Sequence, residues 1–321
     1  MELLSFYNVE NLFLPDPKPR HKLDPTISGL RSWDERKYKN KLQKIAHVFQ
    51  LIKEQNGMLP FIVGLSEVSG KKVLEDLVQL QPFNSEYGIV HYNSMDDRKV
   101  DVAMLYDKKK VEIIDSEAIA FFFENENKNT EYKTTRDVLY AVVKYEEMVI
   151  NVFIAHLPSK RDKDINKPKR IFILNEIQKR MLDLTQAEEH VILCGDFNEN
   201  PDDENLVKIL YGNAQGKAFE NPFQQLFSTG NYSTFHYKSG LLFDQIILSE
   251  SFFKKDNMLS FQGAEIFRHE KISSRDKKSG GRPLRTYSGT RYLGGYSDHF
   301  PVFVTLGKMQ NKCENINLSR E

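Results

Sequence analysis

Polar side chains with a common chemistry stand at the ends of the apolar runs of this sequence. Asn8 and Glu10 close MELLSFYNV, and Glu67 closes FIVGLS. His156 closes VINVFIA, while Asp196 and Asn198 close HVILCG. Asp244 opens DQIILS, and Asp298 and His299 precede FPVFV. Carboxylates and amide oxygens are hard donors suited to Mg2+, Mn2+ or Ca2+. Imidazoles move protons near neutral pH, and asparagine N–H groups reach phosphoryl oxygens. Taken singly, each residue has a plainer reading. An Asp or Asn at a strand end is a turn former or helix cap, GDFNENPDD is a turn with an N-cap, and His156 is a hydrogen-bonded structural histidine. Their shared position is what points to one site, because α/β sheets gather ligand-binding loops at that edge.

The elements that must hold these residues alternate along the chain. MELLSFYNV reads as a first strand, followed by a polar loop over 14–31. Ser32 and Glu35 have capping-box spacing, and Tyr38, Leu42, Ile45, Phe49 and Ile52 then fall on one helical face. FIVGLS is a buried-type strand, and 70–81 has the pattern of a short helix. YGIVHYN, DVAMLYD and VEIIDSEAIAFF form a run of strands without helices. DVLYAVVKY and MVINVFIAHL flank Glu146 and Glu147 as a hairpin. KRIFILNEIQKRMLDLTQ is amphipathic and starts behind Pro168. HVILCGDF, FDQIILSE and PVFVTL are the remaining strong strands. With no boundary signal, this order predicts two mixed sheets with helices outside: residues 1–308 as one catalytic domain and 309–321 as a polar tail.

The bulk numbers exclude several classes. Lys+Arg and Asp+Glu are both 45, so bulk charge does not grip nucleic acid here, although a local basic groove remains open. Hydrophobic residues make up 40%, enough for a core in a chain of 321 residues. The 2 cysteines, Cys194 and Cys313, lack metal or disulfide spacing, and Cys194 reads as a core residue. No apolar run of about 18 residues crosses a membrane. The start lacks a secretory pattern, so the expected location is cytoplasmic, or exported if a leader has been removed.

YNVENL, GLSEV, HLPSK, GDFNENP, DQIILS and YSDHFPV occur in the order found in the endonuclease/exonuclease/phosphatase superfamily. The chain resembles this DNase I-like group from residue 3 to about 305. Its FYNVENLF and RTYSGTRYLGGYSDHFPV are most similar to a bacterial branch. The resemblance implies a four-layer α/β sandwich of two mixed β-sheets flanked by helices, and a metal-dependent phosphoesterase. It implies Glu67 as principal Mg2+ ligand (Mn2+ or Ca2+ as alternatives), with Asn8 beside it and Glu10 reaching the ion through water. His299, oriented by Asp244, would bind the scissile phosphate or activate water, with Asp298 holding the metal or the histidine. Asp196 and Asn198 would position the nucleophile and a non-bridging oxygen, and His156 would protonate the leaving oxygen. The glutamate that partners this histidine in relatives has no matching position here; Asp101 lies nearby but offset. Arg136 falls near a phosphate-contacting arginine, with a surface hairpin arginine as the plainer reading.

Substrate is less sharply written. Lys277, Lys278, Arg282, Arg285 and Arg291 alternate with Tyr287 and Tyr292 just before the SDH motif, and HLPSKRDKDINKPKR adds a second basic stretch. Basic residues with aromatics suit a nucleic-acid strand, a multiply phosphorylated small molecule such as an inositol phosphate, or a solvated loop. Two basic stretches flanking one mouth favour nucleic acid cleaved by direct attack of water. A lipid headgroup fits less well, since Phe121–Phe122–Phe123 reads better as a buried strand than as a membrane-docking hairpin. A non-catalytic scaffold of the same fold would have lost site residues that are all present.

Overall fold

The computed structural model describes residues 1–17, 28–96, 98–124, 132–212, 216–254, 257–276 and 280–308. The predicted tail, Cys313, Lys277 and Lys278 lie outside the described residues. Twelve strands build two six-stranded sheets. They are β1 (Glu2–Leu12), β2 (Ile62–Val68), β3 (Tyr87–His91), β4 (Asp101–Asp107), β5 (Val111–Ile119), β6 (Val138–Tyr145), β7 (Met148–His156), β8 (His190–Asp196), β9 (Phe219–Glu220), β10 (Asp244–Ser249), β11 (Leu259–Ile266) and β12 (Val302–Lys308). The first sheet runs β11-β12-β1-β2-β4-β3 and the second β9-β10-β8-β7-β6-β5. Each has one parallel pair at its centre, β1–β2 and β7–β8, with antiparallel neighbours outside. The predicted run of strands divides between the sheets: β4 belongs to the first, and β5, three residues on, to the second.

Period-two alternation sorts the second sheet's side chains into two cores. Ile150, Val152, Ile154, Ile192 and Cys194 join the core shared with the first sheet. Phe153, Ala155, Val191 and Leu193 face outward onto Ile173, Leu174, Ile177 and Met181 of α3 (Lys167–Gln186). On the first sheet's outer side, α1 (Glu35–Asn56) and α2 (Lys71–Val78) cover the strands. The layers are therefore helix, sheet, sheet, helix, the DNase I-like α/β sandwich. Gly64 lies where the sheets approach closely: a Cβ there would come within 3.0 Å of Cys194 Sγ and of the Phe6 ring. Cys194 is the predicted core residue, fully buried with its thiol pKa pushed up by burial.

Local details differ from the sequence reading. Asp34, not Ser32, caps α1; its carboxylate accepts from the Lys37 backbone N–H at 2.9 Å. Such a cap contributes about 1 kcal/mol. Ser32 lies in the turn before it, at φ 53. The predicted face of α1 is buried in full, from Tyr38 to Ile52, each side chain contributing roughly 1.5–3 kcal/mol. The Phe121–Phe123 segment is only partly a buried strand: Phe121 is buried, but Phe122 is 55% exposed at the edge of a two-stranded hairpin.

Candidate active site

The C-terminal ends of the two parallel pairs converge, and the site lies between them. In the second sheet His156, Asp196 and Asp244 occupy one rung of the ladder: Asp196 pairs with His156 on one side and with Asp244 on the other. Side chains on one rung share a face, here the face towards the first sheet. Asn8 bridges the gap, its Nδ2 donating to Asp196 Oδ2 at 2.9 Å. The other Asp196 oxygen accepts from the Asn198 backbone N–H at 3.0 Å.

The first sheet delivers its groups through irregular backbone. Register shifts between Asn8 and Leu12 on β1 and between Ser66 and Val68 on β2. Glu10, Asn11 and Glu67 take left-handed conformations at φ 50, 59 and 63. Such positions cost of order 1–3 kcal/mol and persist where surroundings fix them. The two bulges lock together, with the Asn11 N–H donating to Glu67 Oε2 at 3.0 Å. Glu67 Oε1 has no hydrogen-bond partner among the described residues and lies 4.0 Å from His156 Nε2.

Two histidines flank Asp196. His156 Nε2 is 3.7 Å from Asp196 Oδ2, and His299 Nε2 is 3.9 Å from the same oxygen. His299 Nδ1 is held by Asp244 Oδ2 at 2.6 Å, and that oxygen also accepts from Ser233 Oγ at 2.5 Å. Burial by itself lowers the His299 pKa. The Asp244 carboxylate and its hydrogen bond, with Asp196 and Asp298 beyond, outweigh burial and hold the imidazole well above the usual histidine range. His156 has no partner at Nδ1 among the described residues. Burial, with Arg136, Arg98 and His299 nearby, holds it well below that range, as a neutral ring. Asp101 does not reach it; that carboxylate is 3.1 Å from His91 Nε2. Burial pushes the Asp196 carboxyl up to about 6, opposed by His299 and reinforced by Asp244.

The remaining predicted residues serve the frame as much as the centre. Arg136 is buried, so the surface-arginine reading does not hold. Its Nε and Nη2 donate to the backbone carbonyls of His156 and Leu157 at 3.0 and 2.9 Å. Asn198, at φ 52, donates Nδ2 to the Leu157 carbonyl at 2.9 Å. Glu10 turns to the loop before the SDH motif, where both its oxygens accept backbone N–H groups, from Thr286 at 2.5 Å and Tyr287 at 3.4 Å. Asp298 Oδ2 accepts from Arg285 at 3.0 Å, while Oδ1 lies 4.0 Å from His299 Nε2.

Lys41, absent from the sequence reading, completes this loop's anchorage. It is fully buried and donates to Thr286 Oγ1 at 2.5 Å and the Tyr296 carbonyl at 2.6 Å. Burial lowers its pKa to about 8 against the pull of Glu10. Burial and Asp298 raise Glu10 to about 7 against Lys41. A lysine beside Leu42 on the apolar face of α1 was the available signal. Ser233 and Ser297 were also missed; Ser297 Oγ donates to the Asn8 carbonyl at 2.6 Å and accepts from the His299 N–H at 3.1 Å. Single serines leave no pattern to find.

The donor set suits a hard cation. One ligand atom each from Asp196, Asp244 and His299 lies within 4.8 Å of the others, although Asp244 and His299 already bond to each other. The uncommitted Glu67 Oε1 and the unpartnered, buried Asp244 Oδ1 add oxygen donors.

The model of the Endonuclease/Exonuclease/phosphatase family matches residues 3–308. No curated protein matches the chain. Among solved structures, TDP2 of D. rerio complexed with a single strand DNA product is similar at TM-score 0.60 and 16% identity, covering 96% of this chain and 99% of that one. An endonuclease/exonuclease/phosphatase family protein from Bacteroides thetaiotaomicron gives TM-score 0.59 and 16% identity over 95% of this chain and 94% of that one. A mannosyl-6-phosphatase from Bacteroides thetaiotaomicron gives TM-score 0.58 and 15% identity over 96% and 100%. The chain belongs to the endonuclease/exonuclease/phosphatase family, whose members are divalent-metal-dependent phosphoric ester hydrolases.

Proposed function

We propose that this phosphoesterase hydrolyses phosphodiester bonds of nucleic acid by direct attack of water, with residues 1–308 acting as one catalytic unit. The observation that carries the reading is Asp196, held by Asn8 from the opposite sheet and flanked by the Asp244–His299 pair. A diester resists attack because its oxygens are already negative. Protonated His299, its tautomer fixed by Asp244, faces that charge and stabilises it as it grows. Asp196, ionised above about pH 6, orients the attacking water and accepts its proton. The neutral ring of His156 donates a hydrogen bond towards the leaving oxygen. Asn198 orders the turn beside Asp196, and Arg285 meets the substrate at the edge of the site.

Glu67, with Asn8 and Asp298, would hold a divalent ion, Mg2+ by preference and Mn2+ or Ca2+ as alternatives, which neutralises phosphoryl charge when bound. Glu10 belongs to the loop anchorage rather than to this set. The alternative substrate, a small phosphorylated molecule, is kept by the fold shared with a mannosyl-6-phosphatase. No helix among the described residues is long and apolar enough to cross a membrane. A cytoplasmic site of action remains part of the proposal, with export as the alternative. The test is hydrolysis of bis-p-nitrophenyl phosphate by the purified chain with Mg2+. Turnover abolished by EDTA and restored by added Mg2+ is the expected result; turnover indifferent to EDTA would refute the metal-dependent reading.

A further inference from the structure

A large groove opens beside the centre. Its volume is about 1090 Å³, and Asp298 and Arg285 line its inner end. Lys271, Arg275, Arg282 and Arg291 line it further out, with Asp276 the other acidic residue in its wall. Among the described residues, no carboxylate lies within salt-bridge distance of Lys271, Arg275, Arg282 or Arg291, unlike Arg285, which meets Asp298 at 3.0 Å. A row of uncompensated cations in a chain of zero net charge makes a local positive channel leading to the site.

One wall is the hairpin Thr234–His236 and Ser239–Leu241. It starts at the centre: Thr234 bridges His299, and its Oγ1 donates to the Asp298 carbonyl at 2.8 Å. Tyr237 is at the tip, three strand residues or roughly 10 Å further along. It is 83% exposed and adopts φ 50. Two-residue hairpin turns favour Asn or Gly in left-handed conformation, where a bulky side chain is strained. Arg282 holds the strained residue in place, donating Nη1 to the Tyr237 carbonyl at 2.7 Å while its guanidinium lies 5.2 Å from the Phe235 ring centroid. His236 braces the tyrosine ring edge-on, at 4.6 Å between centroids. The result is a fixed aromatic face on the rim of a cationic channel.

Resting on the nucleic-acid reading above, we propose that this groove binds a single-stranded segment of the substrate. A base stacks on Tyr237 while Arg275, Arg282 and Arg291 follow the phosphates. Aromatic faces take any base, and a basic groove tracks the backbone, which together give strand binding without sequence preference. Paired, stacked bases of a duplex offer Tyr237 no free face. A lone sugar phosphate engages one cation and leaves the channel largely empty.

The test is fluorescence anisotropy of the full chain with fluorescein-labelled dT8 in EDTA, where no turnover intervenes. Tyr237→Ala is expected to weaken binding about tenfold, the middle of the range for one base stacked on an aromatic ring. Tyr237→Phe is expected to retain wild-type affinity, and Tyr211→Ala, outside the groove, to change nothing. Arg291→Ala is expected to flatten the dependence of log K on log salt by roughly 0.7. A blunt hairpin duplex of the same length is expected to bind more weakly than dT8. Equal affinity of wild type and Tyr237→Ala for dT8, or tripolyphosphate competing with dT8 equally well in both, would overturn the proposal. Wild-type hydrolysis of bis-p-nitrophenyl phosphate, scored separately, tests the catalytic reading, so the two fail independently.

Discussion

His156 and His299 sit on either side of one carboxylate, at nearly equal distances from it, yet one is neutral and the other charged. His299 has Asp244 at Nδ1 and is an imidazolium. His156 has no partner at Nδ1 among the described residues, has Arg136 packed behind its carbonyl, and is neutral. Burial disfavours charge in both. The difference lies in what the second ring nitrogen meets, and it turns two copies of one residue type into a fixed cation and a neutral donor.

The strongest way to break this asymmetry is to remove its charged side. His299→Ala and Asp196→Asn are each expected to lower turnover of bis-p-nitrophenyl phosphate at least a hundredfold, the lower range for removing an acid–base group. The circular dichroism spectrum should stay unchanged; near-normal rates in either purified variant would defeat the assignment. Asp244→Asn sharpens the comparison, because it makes His299 resemble His156. The rate should fall about tenfold or more. The alkaline limb, where His299 gives up its proton, should move to lower pH, since the carboxylate that raises its pKa is gone. An unshifted limb would count against the pair.

On the neutral side, Arg136→Met removes the side-chain donor to the His156 carbonyl and leaves the Leu157 carbonyl to Asn198 alone. It should cost about 2–3 kcal/mol of stability by denaturant titration. A value near zero would mean that the arginine does not hold this strand end. The smallest expected effect lies at Asp137, beside Arg136. Burial, with Asp101 and Asp96 nearby, raises its carboxyl to about 6. The folded state therefore holds this proton more tightly than the unfolded state, and stability falls as pH rises from about 4 to 6. Asp137→Asn should raise Tm at pH 7.5, with the gain shrinking towards pH 4.5; a constant gain would point to another cause.

Legibility in the sequence followed the same divide. The rung residues His156, Asp196 and Asp244 stood out because regular strands place their terminal residues, the last of β7 and β8 and the first of antiparallel β10, at a fixed edge, which apolar runs reveal. The sandwich was readable for the same reason, since its strands alternate between two cores. Glu10 was harder, because a bulge turns its carboxylate to Thr286, far along the chain. Arg136 and Lys41 were obscured because burial of a cation depends on carbonyls supplied by remote segments. Asp34 displaced Ser32 as a cap through a turn whose backbone the S-x-x-E spacing does not encode.

The rung has a consequence for how this protein regains competence after denaturation. Since His156, Asp196 and Asp244 share one line across three strands, slippage of β8 by a single residue would turn Asp196 away from both neighbours at once. Molecules trapped in that arrangement would be inert rather than sluggish. Recovered turnover in a renaturation experiment therefore counts correctly threaded chains.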